Sequence, residues 1–288
     1  VVTYSLRIDR NPIIEGEKVG VSSILSAMLG NGTKNIPKDE YNEEVEFLGA
    51  SVSVTFRGGS ANTLTKNNDR VLELWADAII NPLFSEDEFK SEKKKLIESL
   101  KSNVNNIDAI ASRVSSALSY GKNHPYGEFT TQESLENVTF EDVIEFHKTY
   151  YIPNNAYLVV VGDVKAKEIK SVLKEKFGGW KKGKLPENPE PLFSDNVPET
   201  EINFIDVPSA TQSTVIFTNN TTLKPSDEDY FAALIANQIL GGGSEGYLFK
   251  NLRDDNGWTY GAYSNLGSSR YGISRFTAET KVRNAVTD

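Results

Sequence analysis

Apolar residues recur along this chain with two spacings, and the alternation between them lays out its elements. Val21, Ile24, Leu25, Met28 and Leu29 fall at helical intervals, and Gly30 and Gly32 then stop the helix. Val1–Ile8 predicts a strand ahead of it. The same reading places a helix near Lys38–Leu48, a strand at Ala50–Phe56, and helices over Asn67–Ile80, Ser85–Asn103, Ile107–Ser119 and Thr139–Tyr150. Strand Ala156–Gly162 precedes helix Lys165–Phe177, which Gly178 and Gly179 close. Lys181–Glu199 sets Pro186, Pro189, Pro191 and Pro198 among charged residues with little periodicity, and reads as a linker. Beyond it come strands Glu201–Asp206 and Gln212–Thr218, helix Ser226–Leu240, a glycine run and helix Gly246–Asp254. There the pattern of the first half begins again.

Periodic apolar helices need a sheet face to bury against, and these strands are too short and scattered to close a barrel. The expected fold class is therefore α+β: two units, each a mainly antiparallel sheet with helices on one face. The first spans residues 1–180, the linker 181–199, and a partial second unit 200–288.

Composition narrows the function. The chain has 288 residues, 31 Lys and Arg against 40 Asp and Glu, and a formal net charge of −9. With no long basic run, nucleic acid is excluded as a partner, and an acidic surface suits a basic peptide or a complementary subunit. No apolar stretch approaches the roughly 20 residues needed to span a bilayer. The chain opens on Val1 without a signal-peptide pattern, which reads as a soluble processed chain or a piece of a longer one. There is no Cys, which fits a reducing or an oxidising compartment, so bacterial periplasm and cytoplasm both stay open. The two His, His124 and His147, lie 23 residues apart with no Cys beside them, a three-ligand zinc site needs imidazole, thiolate or carboxylate groups that converge, and no D-x-[DN]-x-[DN]-G loop is present. No metal or other cofactor is expected in this chain. His124 precedes a proline in a loop and His147 lies on an amphipathic helix, so both read as structural.

The helix at Gly20–Thr33 carries a specific likeness. Its sequence, G-V-S-S-I-L-S-A-M-L-G-N-G-T, resembles the zinc-binding segment G-x-A-H-x-x-E-H-x-x-F-x-G-T of the M16 (pitrilysin-like, mitochondrial processing peptidase-like) metallopeptidases. Gly20, Gly32 and Thr33 match, whereas Ser23 and Ala27 stand where the family has His, and Ser26 where it has Glu. Two His at i and i+4 share a helix face and grip one zinc while the Glu polarises water. Serine is a poor zinc ligand, alanine supplies none, and Ser26 cannot take a proton from water near neutral pH. Without the likeness, the segment would read as a packing helix with small residues on one face.

Further motifs follow in the family's order. The third ligand, a Glu on a later helix, maps to Ser99 or to Glu98, after Glu92-Lys93. Then come His124-Pro125-Tyr126-Gly127, Glu133-Ser134-Leu135, Phe146-His147, Tyr151-x-Pro153-x-Asn155 and Gly162-Asp163. Gly49-Ala50-Ser51-Val52-Ser53 stands where active relatives carry G-x-x-N-A along a cleft edge that takes peptide as an added strand, with Val52 in the Asn position.

One functional signature of the family is retained. Leu248-Phe249-Lys250-Asn251-Leu252-Arg253, followed by Gly257 and Tyr260, resembles L-F-x-x-L-R-x-x-x-G-x-x-Y. In the family, that Arg and Tyr reach a zinc site in the opposing half. The Tyr donates to the scissile carbonyl and the Arg holds peptide backbone or a carboxylate. Taken alone, the pair reads as a helix-capping Arg and a core Tyr. Gly241-Gly242-Gly243 reads as a helix–helix connection, and non-catalytic processing-peptidase subunits carry a glycine-rich substrate loop in this general region.

The resemblance implies a non-catalytic subunit or half that pairs as a heterodimer with a zinc-bearing M16 partner, binds peptide substrate and lends Arg253 and Tyr260. The other reading is a peptidase-derived scaffold without chemistry, like the core subunits of the respiratory bc1 complex.

Overall fold

A computed structural model describes residues 1–187, 195–208, 210–270 and 272–287. They form two compact units. One comprises Val1–Arg10, Glu17–Ser99 and Thr130–Asn188, the other Asn11–Gly16, Leu100–Phe129 and Pro189–Asp288. Residues 11–16 and 100–129 thus pack with the C-terminal unit, a discontinuity that the division into 1–180 and 200–288 does not contain. The middle of the Pro-rich segment, 188–194 with Pro189 and Pro191, lies outside the described residues.

The first unit is built on four antiparallel strands, β1 (Val2–Ile8), β2 (Ser51–Thr55), β3 (Gly58–Thr63) and β4 (Ala156–Gly162), in the order β2-β3-β1-β4. Side chains alternate in burial along β1: Val2, Tyr4, Leu6 and Ile8 are buried, Ser5 and Arg7 exposed. That alternation is what a sheet covered on one face requires. The covering helices are α1 (Val21–Met28), α2 (Lys38–Phe47), α3 (Asn68–Ile80), α6 (Gln132–Asn137), α7 (Phe140–Tyr150) and α8 (Ala166–Phe177), with most of the long α4 (Glu86–Ser102). Trp75 of α3 is fully buried, with its ring 5.8 Å from that of Tyr4 and its indole N–H donating to the Ser53 carbonyl. Capping boxes at Thr131/Ser134 and Thr139/Asp142 start α6 and α7, each satisfying end N–H groups that the helix leaves bare.

The second unit holds β5 (Gln212–Thr221), β6 (Thr259–Leu266) and β7 (Ser274–Arg283), antiparallel in the order β5-β7-β6. The helices α9 (Tyr230–Gly241) and α10 (Tyr247–Phe249) pack on β6. The helix α5 (Ile107–Tyr120) meets β5, with Asn220 donating to the Ser119 carbonyl and Lys281 of β7 paired to Asp108. Strand, helix and antiparallel strand pair recur as β1-α1-β2-β3 and β5-α9-β6-β7, and both sheets put the last of these strands between the other two.

Strand β3, helix α6 and strands β6 and β7 have no counterpart in the sequence reading, and two other elements take a different form. Glu201–Asp206 is not a strand: Ile202 is 90% and Phe204 83% exposed, and no strand of the second sheet pairs with it among the described residues. Strand β3, G-G-S-A-N-T, has little strand propensity and forms because glycine permits a close backbone approach. Gly58 sits at φ +131°, and a Cβ there would fall 2.0 Å from the Leu6 carbonyl oxygen. The helix expected over Gly246–Asp254 is present as α10 running directly into a π-helical turn, Lys250–Asp255.

Candidate functional site

Helix α1 begins where only glycine fits. Gly20 has φ +111°, and a Cβ would lie 2.5 Å from Leu135 Cδ2. From that start, Val21, Ile24, Leu25 and Met28 turn into the core, which leaves Ser23 exposed and Ser26 and Ala27 half-buried. Ser26 Oγ accepts the backbone N–H of Phe56 at 3.1 Å, just past the end of β2. The Ala27 carbonyl accepts from Asn31 Nδ2 at 2.8 Å. Ser99 is exposed on α4.

These positions do not fit zinc. Ser23 presents a neutral hydroxyl to solvent, Ser26 is already committed to a strand end, and Ala27 has no donor atom. Among the described residues, no group of three or more His, Cys, Asp or Glu side chains could hold a metal ion.

Neighbouring family positions serve structure. Lys93 Nζ donates to the Glu136 and Val138 carbonyls at 2.9 and 2.8 Å, capping the C-terminus of α6, and burial lowers its pKa. The His147 ring lies 5.1 Å from Phe84 and stacks 5.0 Å from Tyr151. Burial first, then the charges of Lys34 and Lys148, push its pKa down to about 4, and its Nε2 has no hydrogen-bond partner. In the other unit His124 is buried and stacked on Tyr120, its Nδ1 accepting the Tyr126 backbone N–H at 3.1 Å. Glu128, directly after the His-Pro-Tyr-Gly run, was not anticipated. Its carboxylate accepts the backbone N–H groups of Glu15 and Gly16, and burial nevertheless raises its pKa.

The retained Arg and Tyr occupy a different setting. Arg253 is exposed within the π-helical turn, its guanidinium 4.8 Å from the centre of the Phe249 ring. Gly257, at φ +64°, ends that turn by donating to the Arg253 carbonyl, and Trp258 donates to the Leu252 carbonyl. Three residues on, the pairing of β6 with β7 slips. Thr259 faces Val282 and Ala262 faces Thr280, so Tyr260 and Gly261 together oppose a single residue. The bulge is fixed by Thr259 Oγ1, which accepts the Gly261 N–H, and by Thr280 Oγ1, which donates to it. Tyr260 is 86% exposed at this bulge. A π-turn and a β-bulge are local departures that re-aim side chains, and they recur at functional sites. Gly261, a glycine inside a strand pattern, is a sequence signal that could have pointed to the bulge.

The glycine run is compact. Gly241 is buried, and a Cβ there would lie 2.7 Å from the Ser264 backbone nitrogen, while the Gly242 N–H closes the end of α9 on the Asn237 carbonyl at 3.0 Å. Gly243 accepts from Gly246.

Two family models account for this arrangement. The one described as insulinase (peptidase family M16) matches residues 4–126, and the one described as peptidase M16 inactive domain matches residues 137–286. The chain belongs to the M16 peptidase family. It is 27% identical over 252 residues to the uncharacterized zinc protease YmxG of Bacillus subtilis, covering 85% of this chain and 59% of YmxG. The probable inactive metalloprotease YmfF of the same organism is 24% identical, over 93% of this chain and 68% of its own. Among solved structures, a peptidase M16 inactive domain from Pseudomonas fluorescens superposes with a TM-score of 0.82 at 21% identity, over 98% of this chain and 69% of its own. This M16 chain therefore spans 59 to 69% of the three relatives' lengths.

Proposed function

We propose that this chain is the non-catalytic subunit, or the non-catalytic half of a longer polypeptide, of an M16 zinc peptidase. It binds peptide alongside a zinc-bearing M16 partner and presents Arg253 and Tyr260 for peptide-bond hydrolysis. The observation that carries this reading is the placement of the pair. Both side chains stand exposed on irregular backbone, at a π-turn and at a β-bulge held by two threonine hydroxyls. A side chain kept only for packing would be expected in a core, on regular backbone.

In this role the Tyr260 hydroxyl donates to the carbonyl oxygen of the bond being cut, where charge develops. Arg253 offers a planar fork of donors to peptide backbone or to a carboxylate. Gly241, Gly242 and Gly243, which run from the last residue of α9 toward α10, are the candidate for the family's glycine-rich substrate loop in this reading. The zinc belongs to the partner, because the Ser23, Ser26, Ala27 and Ser99 positions supply no ligand set.

One observation favours the scaffold reading instead: the Arg253 guanidinium already lies over Phe249, a contact that needs no substrate. Reconstitution decides between them. This chain is mixed with an M16 subunit that carries an intact H-x-x-E-H segment, and cleavage of a quenched fluorescent peptide is followed. Activity that appears only in the mixture and falls in the Tyr260→Phe and Arg253→Ala variants supports the lent pair. Wild-type turnover from variants that still assemble assigns the chain to a scaffold.

A further inference from the structure

The acidic total of this chain conceals one basic surface. Between Lys165 and Lys184 there are eight lysines and two glutamates, in a chain of net charge −9. Lys165 pairs with Glu168 and Lys176 with Glu175. Lys170 and Lys174, one turn apart on α8, are exposed and have no acidic partner among the described residues. The segment that follows α8 is held in place. Trp180 donates to the Tyr151 carbonyl, and Gly183 and Asn154 exchange hydrogen bonds of 2.7 and 3.0 Å. Exposed Lys181, Lys182 and Lys184 therefore sit on anchored backbone.

Lys170 and Lys174 border an apolar groove of about 400 Å³ between β4 and α8, whose floor is Leu158, Leu173 and Phe177. All three floor residues are only partly covered by their own unit. An apolar floor under two unpaired cations fits a ligand that has both an apolar side chain and negative charge.

We propose that this groove is a docking site for an acidic polypeptide segment. Such a segment seats an apolar side chain on Leu158, Leu173 and Phe177 and sets its carboxylates against Lys170 and Lys174. Charge complementarity selects the acid, and the small extent of the apolar floor, three side chains in a shallow groove of about 400 Å³, suits a side chain of a polypeptide segment. The site lies wholly within the first unit, uses neither Arg253 nor Tyr260, and does not depend on the peptidase reading.

The test uses the full 288-residue chain and labelled amphipathic helical peptides in fluorescence anisotropy. One peptide has Glu on its polar side and Leu on its apolar side. A second replaces Glu by Gln, and a third replaces Leu by Ala. Only the first is expected to bind saturably, more weakly as salt rises. Lys170→Glu with Lys174→Glu should raise its Kd about tenfold, from two exposed ion pairs of ordinary strength. Lys66→Glu with Lys122→Glu, which makes the same charge change at exposed lysines outside the groove, should leave Kd unchanged. All variants alter solvent-facing lysines and should keep the wild-type Tm. The proposal is overturned by equal binding of the Gln or Ala peptide, by equal losses in the two double variants, or by no saturable binding. It is also overturned if phosphatidylserine vesicles sediment the protein through Lys170 and Lys174 while the acidic peptide does not compete.

Discussion

The two repeats of this chain carry their motif residues on backbone of opposite kinds. At α1 and β2 in the first, the residues standing where the family carries its metal chemistry have become small, and the structure has absorbed them: Ser26 holds the Phe56 N–H, and the Ala27 carbonyl holds Asn31. Past α9 in the second, Arg253 and Tyr260 keep their family identity, and the backbone beneath them departs from regular helix and strand. Regular backbone with inward hydrogen bonds is what remains where chemistry is gone. A π-turn and a β-bulge re-aim the side chains they carry, and under the proposed function these two are aimed at peptide.

The largest effect belongs to the second place. In a reconstituted complex, Tyr260→Phe should lower kcat on the order of 10²-fold, because one donor to a developing oxyanion is removed. Arg253→Ala should instead raise KM, since its task is to hold peptide. Neither change should move Tm, as both side chains are exposed. Unchanged turnover in assembled complexes would erase the contrast between the repeats.

The first unit should lose stability in acid through His147. The His147 pKa is lowered to about 4, from an ordinary value near 6.5. A group whose folded pKa is depressed contributes full stability above its unfolded pKa, and that contribution is lost as pH falls from about 6.5 toward 4. The loss has an upper bound of about 3 kcal/mol. Urea titrations at stepped pH values should show it, and His147→Phe should flatten the slope across that window. An unchanged slope in the variant would place the acid sensitivity elsewhere.

Gly20→Ala should destabilise the first unit by about 2 kcal/mol, through positive φ together with the clash on Leu135. Calorimetry should find one transition lowered and any transition of the second unit unmoved. A joint shift of both would mean that the units melt together.

These places also mark how far the sequence could be read. The α1 helix, the β1 and β4 strands and the α3 core were legible because Val2, Tyr4, Leu6 and Ile8, or Ile24, Leu25 and Met28, repeat at the period of their element. The vacant metal positions and the Arg/Tyr pair of the proposal come from motif spacing alone. Strand β3 was hidden because Gly58 and Gly59 make a strand only against the Leu6 and Ser53 backbones, a tertiary fact. The grouping of 100–129 with the C-terminal unit rests on contacts such as Lys281 with Asp108, which no linear punctuation announces. Glu201–Asp206 looked like a strand by composition, but a strand needs a ladder and this segment has no pairing strand among the described residues.

The smallest effect tests whether the lost site really has a structural use. Ser26→Ala removes the acceptor of the Phe56 N–H while keeping the helix propensity of α1 at least as high. If that hydrogen bond is what the serine now supplies, the first unit should lose about 1 kcal/mol, the ordinary worth of one hydrogen bond at a half-buried site. Hydrogen exchange gives the sharper readout: the Phe56 amide should exchange faster in the variant, whereas amides in the middle of β1 should change only by the global loss of stability. Ser23→Ala, on the exposed neighbour, should leave both measurements as they are. Equal behaviour of the two variants would show that neither hydroxyl has been taken up by the fold. The first repeat would then differ from the second only in what it has lost, and not in what it has gained.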